Sequence, residues 1–115
     1  MLTGANPQAA LEAQMDENAA MIHITAAITL RRANVFIFGT ANTATDSYTI
    51  TLPPVAEAIG QFVYVFGTIA NSKVITIADN NDDAAMSDLT VDTDGDDVMI
   101  MSTGKHWIAV YNSIA

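Results

Sequence analysis

Between Met21 and Leu30 the chain reads MIHITAAITL, and apolar residues fall on every second place: Ile22, Ile24, Ala26, Ile28 and Leu30. Met21, His23, Thr25, Ala27 and Thr29 take the alternate places. Successive side chains of an extended strand point to opposite faces, so a period of two belongs to a strand and not to a helix. Five matches in succession predict one strand across this stretch. NVFIFGTA and QFVYVFGTI are apolar at both parities, the mark of strands covered on two sides. DSYTITLP alternates Tyr48, Ile50 and Leu52 with Thr49 and Thr51, then stops at Pro53 and Pro54. Further strands are predicted in SKVITIAD, LTV, VMIM and HWIAVYNSI. Turns are predicted at RRAN, at Asn71–Ser72, at DTDGDD and at STGK, with one helical turn in PPVAEAIG ended by Gly60.

About eight short strands with turn signals between them predict an all-β fold. The expected form is an antiparallel, jelly-roll-like β-sandwich over residues 21–115. Only NPQAALEAQMDENAA has helical propensity, so residues 1–20 read as a short N-terminal arm that orders against a neighbour. The length of 115 residues suits one domain. No internal repeat, linker or low-complexity segment is evident.

Charge narrows the partners. Thirteen acids against four Lys and Arg leave −9 overall. Residues 1–78 hold five acids and three bases, and residues 79–115 hold eight acids and one base. Such a chain repels phosphates and anionic lipid, so neither nucleic acid nor membrane is an expected partner. No apolar run reaches the roughly 20 residues of a membrane span, and no signal peptide is evident. With no cysteine, neither disulfides nor thiolate metal sites arise.

The inventory for catalysis is thin. Two histidines, His23 and His106, lack companions at metal-ligand spacing. There is no nucleophile elbow, no acidic pair of glycosidase type and no phosphate-cradling glycine loop. A non-enzymatic role without cofactor is expected. Asp92, Asp94 and Asp96 in DTDGDD are calcium candidates, since alternating carboxylates suit a hard cation. Their spacing departs from the EF-hand loop: Gly95 comes one place early and no Glu follows. An Asp-Gly hairpin turn is the competing reading. Asp79, Asp82 and Asp83 form a second acidic cluster. Arg31 and Arg32, the only basic pair, fit either a subunit contact or a solvated turn. Phe36, Phe38, Phe62 and Phe66 read as core.

The run from Tyr48 to Trp107 carries a recognisable order: YTITLPPVAEAIGQFVYVFGTIANSKVITIAD, a polar loop, then LTVDTDGDDVMIMSTGKHWIAV. It resembles the small β domains of tailed-phage virion proteins, namely head decoration (cement) proteins, head fibres and tail-fibre tips. Those domains often end in Ser-Asp-Gly-x-x-Trp before the last strand. Here Ser102, Gly104 and Trp107 match, and Thr103 stands where the Asp would be. The resemblance spans just over half the chain and brings no catalytic or ligand residues. It implies a homotrimer on the capsid exterior, with the major capsid protein as partner, stabilising contacts between capsid subunits. The alternative is a fibre module that binds host-surface carbohydrate through Trp107, Tyr111 or Tyr64.

Strand alternation places Trp107, Ala109 and Tyr111 on one face of the last strand, with Ile108 and Val110 toward the core. Trp107 is therefore expected to face a second layer or a neighbouring subunit, and Trp107, Tyr111, His23, Arg31 and Arg32 are the candidates for a subunit contact.

Overall fold

The computed structural model describes residues 20–114; the arm expected at 1–20 thus lies almost wholly outside the described residues. The described residues form nine strands: β1 (Ala20–Ile24), β2 (Ile28–Thr29), β3 (Val35–Ala41), β4 (Tyr48–Thr51), β5 (Phe62–Ile69), β6 (Ile75–Ala78), β7 (Leu89–Val91), β8 (Asp97–Ser102) and β9 (Trp107–Asn112). A single 3-10 turn, Val55–Glu57, stands where one helical turn is predicted. The fold is all-β, with two mixed sheets packed face to face.

The connectivity differs from an antiparallel jelly roll. Sheet A has the order β1-β3-β5-β8-β9, and sheet B the order β2-β4-β6-β7. The β1–β3, β3–β5, β2–β4 and β4–β6 pairs are parallel. The β5–β8, β6–β7 and β8–β9 pairs are antiparallel. The chain crosses sheet A, returns through sheet B, and stacks each pass on the last. β1–β2, β3–β4 and β5–β6 are thus three turns of a flattened coil, closed by an antiparallel ending. A parallel pair needs a crossover connection, and here the crossover is a strand of the facing sheet. The stretch predicted as one strand breaks at Thr25–Ala27 because the chain turns there from sheet A into sheet B.

The coil also exposes a repeat. VFIFGTA of β3 and VYVFGTI of β5 lie side by side with every residue opposite its counterpart. Sequence offsets between stacked turns are unequal. Val35 pairs with Val63, 28 residues on, whereas Ala20 pairs with Val35, 15 on. An uneven period defeats a search for fixed-length repeats.

Between the sheets Ile37, Val63, Val65 and Val98 from one side meet Ile50, Ile75, Ile77 and Val91 from the other, all fully buried. Each contributes on the order of 1.5–3 kcal/mol relative to exposure. Tyr48 crosses beneath β3 and its hydroxyl donates to the Ile24 carbonyl (3.2 Å). Gly39 leaves room for that crossing: a Cβ there would lie 2.9 Å from the Tyr48 hydroxyl and 2.7 Å from Ile75 Cδ1. The outer face of sheet B is mostly threonine: Thr29, Thr49, Thr51, Thr76 and Thr90.

The last strand departs from simple alternation. Met99 pairs with Tyr111 and Ile100 with Ala109, so Val110 is an extra residue at a bulge. Trp107, at 6% exposure, packs into its own chain's core, while Ile108 and Val110 stand 46% and 48% exposed. Ile108 and Val110 thus stand outside the core in which they are expected, and Trp107 faces the sandwich interior and not a neighbouring subunit. Beyond the bulge Tyr111 turns to the outer face of sheet A and is 52% exposed.

Candidate interaction surface

The outer face of sheet A gathers six of the eight aromatic residues, all but Tyr48 and Trp107. Parallel, in-register stacking puts like beside like, because the pattern of one turn is copied by the next. One row crosses all five strands: Met21, Phe36, Tyr64, Met99 and Tyr111. The next row holds His23, Phe38, Phe66 and Asp97. Phe62, Met101 and Ile108 form a third. Ring centroids lie 5.2 Å apart for Phe36–Phe62, 5.8 Å for Phe36–Tyr64 and 6.2 Å for Phe38–Phe66. His23 stacks on Phe38 at 5.4 Å. These spacings are those of favourable aromatic pairs. The phenylalanines are half-buried on this outer face and not in the core as expected. β3 and β5 are apolar on both faces because one face fills the sandwich and the other carries this ladder.

Asp97 is the one carboxylate in these rows, and the Tyr64 hydroxyl donates to its Oδ2 at 2.6 Å. Burial pushes the Tyr64 hydroxyl up to about 12, aided by the hydrogen bond to Asp97 and the charges of Asp97 and Tyr111. Of the residues expected at a subunit contact, His23 and Tyr111 join this surface. Arg31 and Arg32 lie elsewhere, exposed beyond β2.

The acidic clusters serve as loop fasteners. Asp94 Oδ1 accepts the Ile69 N–H (3.0 Å), and Asp96 Oδ2 accepts the Thr93 N–H (3.2 Å). Asp92 accepts the Thr93 hydroxyl. Gly95, at φ 89°, turns the chain from sheet B to sheet A. Asp79 Oδ2 accepts the N–H groups of Asp82 and Asp83, and Asp82 accepts that of Val55 (2.8 Å). Among the described residues no three His, Asp or Glu side chains are arranged to hold a metal ion. DTDGDD is a turn but not the expected hairpin: it carries the chain from β7 in sheet B to β8 in sheet A, and these carboxylates fasten that crossover.

One pair escaped the sequence reading. Asp83, 23 residues from His106, meets its Nδ1 at 2.8 Å, and its other oxygen accepts the buried Trp107 N–H at 2.8 Å. The His106 contact, with the Trp107 and Ala85 N–H groups, holds the Asp83 carboxyl below its ordinary value despite burial. Only an acid with no visible local role, among many, marked it in the sequence. The adjoining STGKHW segment is likewise structural. Ser102 Oγ donates to the Val55 carbonyl (2.5 Å), and Gly104 turns at φ 96°. Thr103 Oγ1 accepts the His106 N–H (3.1 Å).

No protein-family model and no curated protein matches this chain.

Proposed function

We propose that the protein is a non-enzymatic structural subunit of a phage virion. It decorates the outer capsid surface as a homotrimer and stabilises contacts between capsid subunits. The observation that carries this reading is the aromatic outer face of sheet A. Three such faces around a threefold axis would enclose one another as a triangular prism. Each face measures roughly 24 Å by 20 Å from strand spacing and rise, on the order of 500 Å² of flat area. Three such faces together would bury on the order of 1,500 Å², shared among the three contacts of the trimer. A chain of net charge −9 associates with copies of itself only through a surface nearly free of charge, and this face meets that need. The resemblance of the Tyr48–Trp107 run supplies the virion setting.

The test is light scattering on the full chain at tens of micromolar. Three chains per particle are expected, and Phe38→Asp should give monomers with an unchanged melting profile when diluted. A parent that stays monomeric, or a Phe38→Asp variant that stays trimeric, removes the interface. Virions lacking the protein should lose heat resistance; equal resistance removes the decoration role. One observation favours carbohydrate binding as a second reading: exposed Tyr111 lies in one row with Tyr64, whose hydroxyl is tied to a carboxylate. A glycan array with no binder ends that reading.

A further inference from the structure

Among the described residues sheet A has five strands and sheet B four, so β9 has no strand of sheet B to face. Ile100 of β8 and Ala109 of β9 are paired and share the inner face. Ile100 is 1% exposed, whereas Ala109 is exposed. A cleft of about 240 Å³ lies against them, at the edge of the sandwich opposite β1. Its walls are Met86, Leu89, Ile100, Trp107 and Ala109, with Ser87 the one polar side chain besides the indole. Small-molecule pockets are apolar with a few polar groups and begin at roughly 300 Å³. A cleft just under that size suits a molecule of one ring.

One wall carries an unmet donor. Trp107 is 6% exposed, and its indole Nε1 is the one buried side-chain nitrogen or oxygen without a hydrogen-bond partner among the described residues. Buried polar groups in folded proteins are almost always paired, and an unpaired donor costs free energy that an incoming acceptor restores. The Trp107 backbone is pinned, since its N–H donates to Asp83 at 2.8 Å. That bond fixes the strand, so only the ring need tip for Nε1 to meet an acceptor in the cleft. Charge selects the acceptor. Asp88 stands exposed between the wall residues Ser87 and Leu89, and residues 79–115 carry eight acids against one base. Such a rim repels a carboxylate, so the acceptor is a neutral oxygen.

We propose that this cleft binds a neutral small molecule, an apolar ring bearing a carbonyl oxygen. The ring lies against Met86, Leu89 and Ile100, and the oxygen accepts the Trp107 indole N–H. The ligand takes the place that a fifth strand of sheet B would fill beside β7. The proposal is independent of the virion reading, because the cleft opens on the inner side of β9 and not on the outer face of sheet A.

Trp107 is the only tryptophan, so the full chain gives one indole N–H signal in a nitrogen–proton correlation spectrum. Acetophenone, ethylbenzene and benzoate share one ring and differ in carrying a carbonyl, a methylene or a carboxylate. Acetophenone at low-millimolar concentration should move the indole signal saturably. Ethylbenzene should bind at least about fivefold more weakly, because it leaves the donor unpaired, and benzoate should bind more weakly than acetophenone. Ala109→Leu fills the cleft from an exposed position; it should abolish the acetophenone shift with the melting profile unchanged. Thr49→Leu, on the outer face of sheet B, should leave the shift as in the parent. No saturable shift with acetophenone, or the same shift in Ala109→Leu, overturns the proposal. Ethylbenzene or benzoate binding as tightly as acetophenone overturns it as well.

Discussion

Replacing Asp83 by Ala should destabilise the protein far more than removing its imidazole partner. Asp83 is 3% exposed and accepts from the Trp107 N–H, from His106 Nδ1 and from the Ala85 N–H. The Trp107 amide is the costly loss, because it is buried and no water replaces the acceptor. A buried donor left unpaired costs about 1–3 kcal/mol, and a hydrogen bond to a charged group contributes about 1.5–3 kcal/mol. The other two donors lie nearer solvent and recover part of their loss. The sum is about 2–4 kcal/mol for Asp83→Ala. His106 is 54% exposed at its side chain, so His106→Ala should cost less than about 1 kcal/mol. For a domain of this length each kcal/mol moves Tm by about 3–5 °C. A thermal melt followed by circular dichroism at pH 7 should therefore place Asp83→Ala about 6–20 °C below the parent and His106→Ala within about 5 °C. The carboxyl is held low in the folded state, so its contribution is present above the unfolded value of about 3.9 and is lost as pH falls through the folded value. The gap between the parent and Asp83→Asn should narrow from pH 7 toward pH 3. An Asp83→Ala melt within about 3 °C of the parent, or a His106→Ala loss as large as that of Asp83→Ala, would refute the argument that the buried amide dominates.

Two further outcomes follow from the packing. Trp107→Ala should cost about 3–5 kcal/mol, as for other large core truncations, yet leave the oligomeric state below Tm unchanged, since the indole faces the sandwich interior. Light scattering that showed dissociation with an unaltered melt would contradict that placement. In an ultraviolet titration Tyr64 should ionise at about pH 12, and Tyr64→Phe should remove that step. Its folded value lies above the unfolded one, so the stability it brings is whole below about pH 10 and is lost as pH rises toward 12. Asp97→Asn should shift the step downward, and no shift would mean the 2.6 Å contact is absent in solution.

Much of the strand content was legible along the chain because period-two patterning is local. The STGK and DTDGDD turns were legible for the same reason: Gly104 and Gly95 sit at the positive φ those turns require. Sheet direction was not legible. Nothing in MIHITAAITL says whether its neighbour runs with it or against it, and an apolar run on both faces suits a subunit contact, a second layer or a parallel sheet alike. The candidate surface was half visible. His23 and Tyr111 were singled out, but the four phenylalanines were assigned to the core, because parity names two faces without saying which one is wet. Trp107 and Tyr111 were separated only by the bulge at Val110, which no turn residue announces.

The sequence by itself determined that this chain is β throughout the described residues, that it has no thiol chemistry, and that its surface is strongly acidic. The alternation of apolar and polar side chains and the count of ionisable groups are properties of the covalent chain and survive unfolding. The tertiary structure alone decided that the strands wind as a coil, that VFIFGTA lies against VYVFGTI, and that Asp83 reaches Trp107. Those facts depend on which distant segments share a hydrogen-bonded edge. That choice is settled by how two apolar faces fit across the sandwich, where Gly39 admits Tyr48, and by no residue's neighbours in sequence.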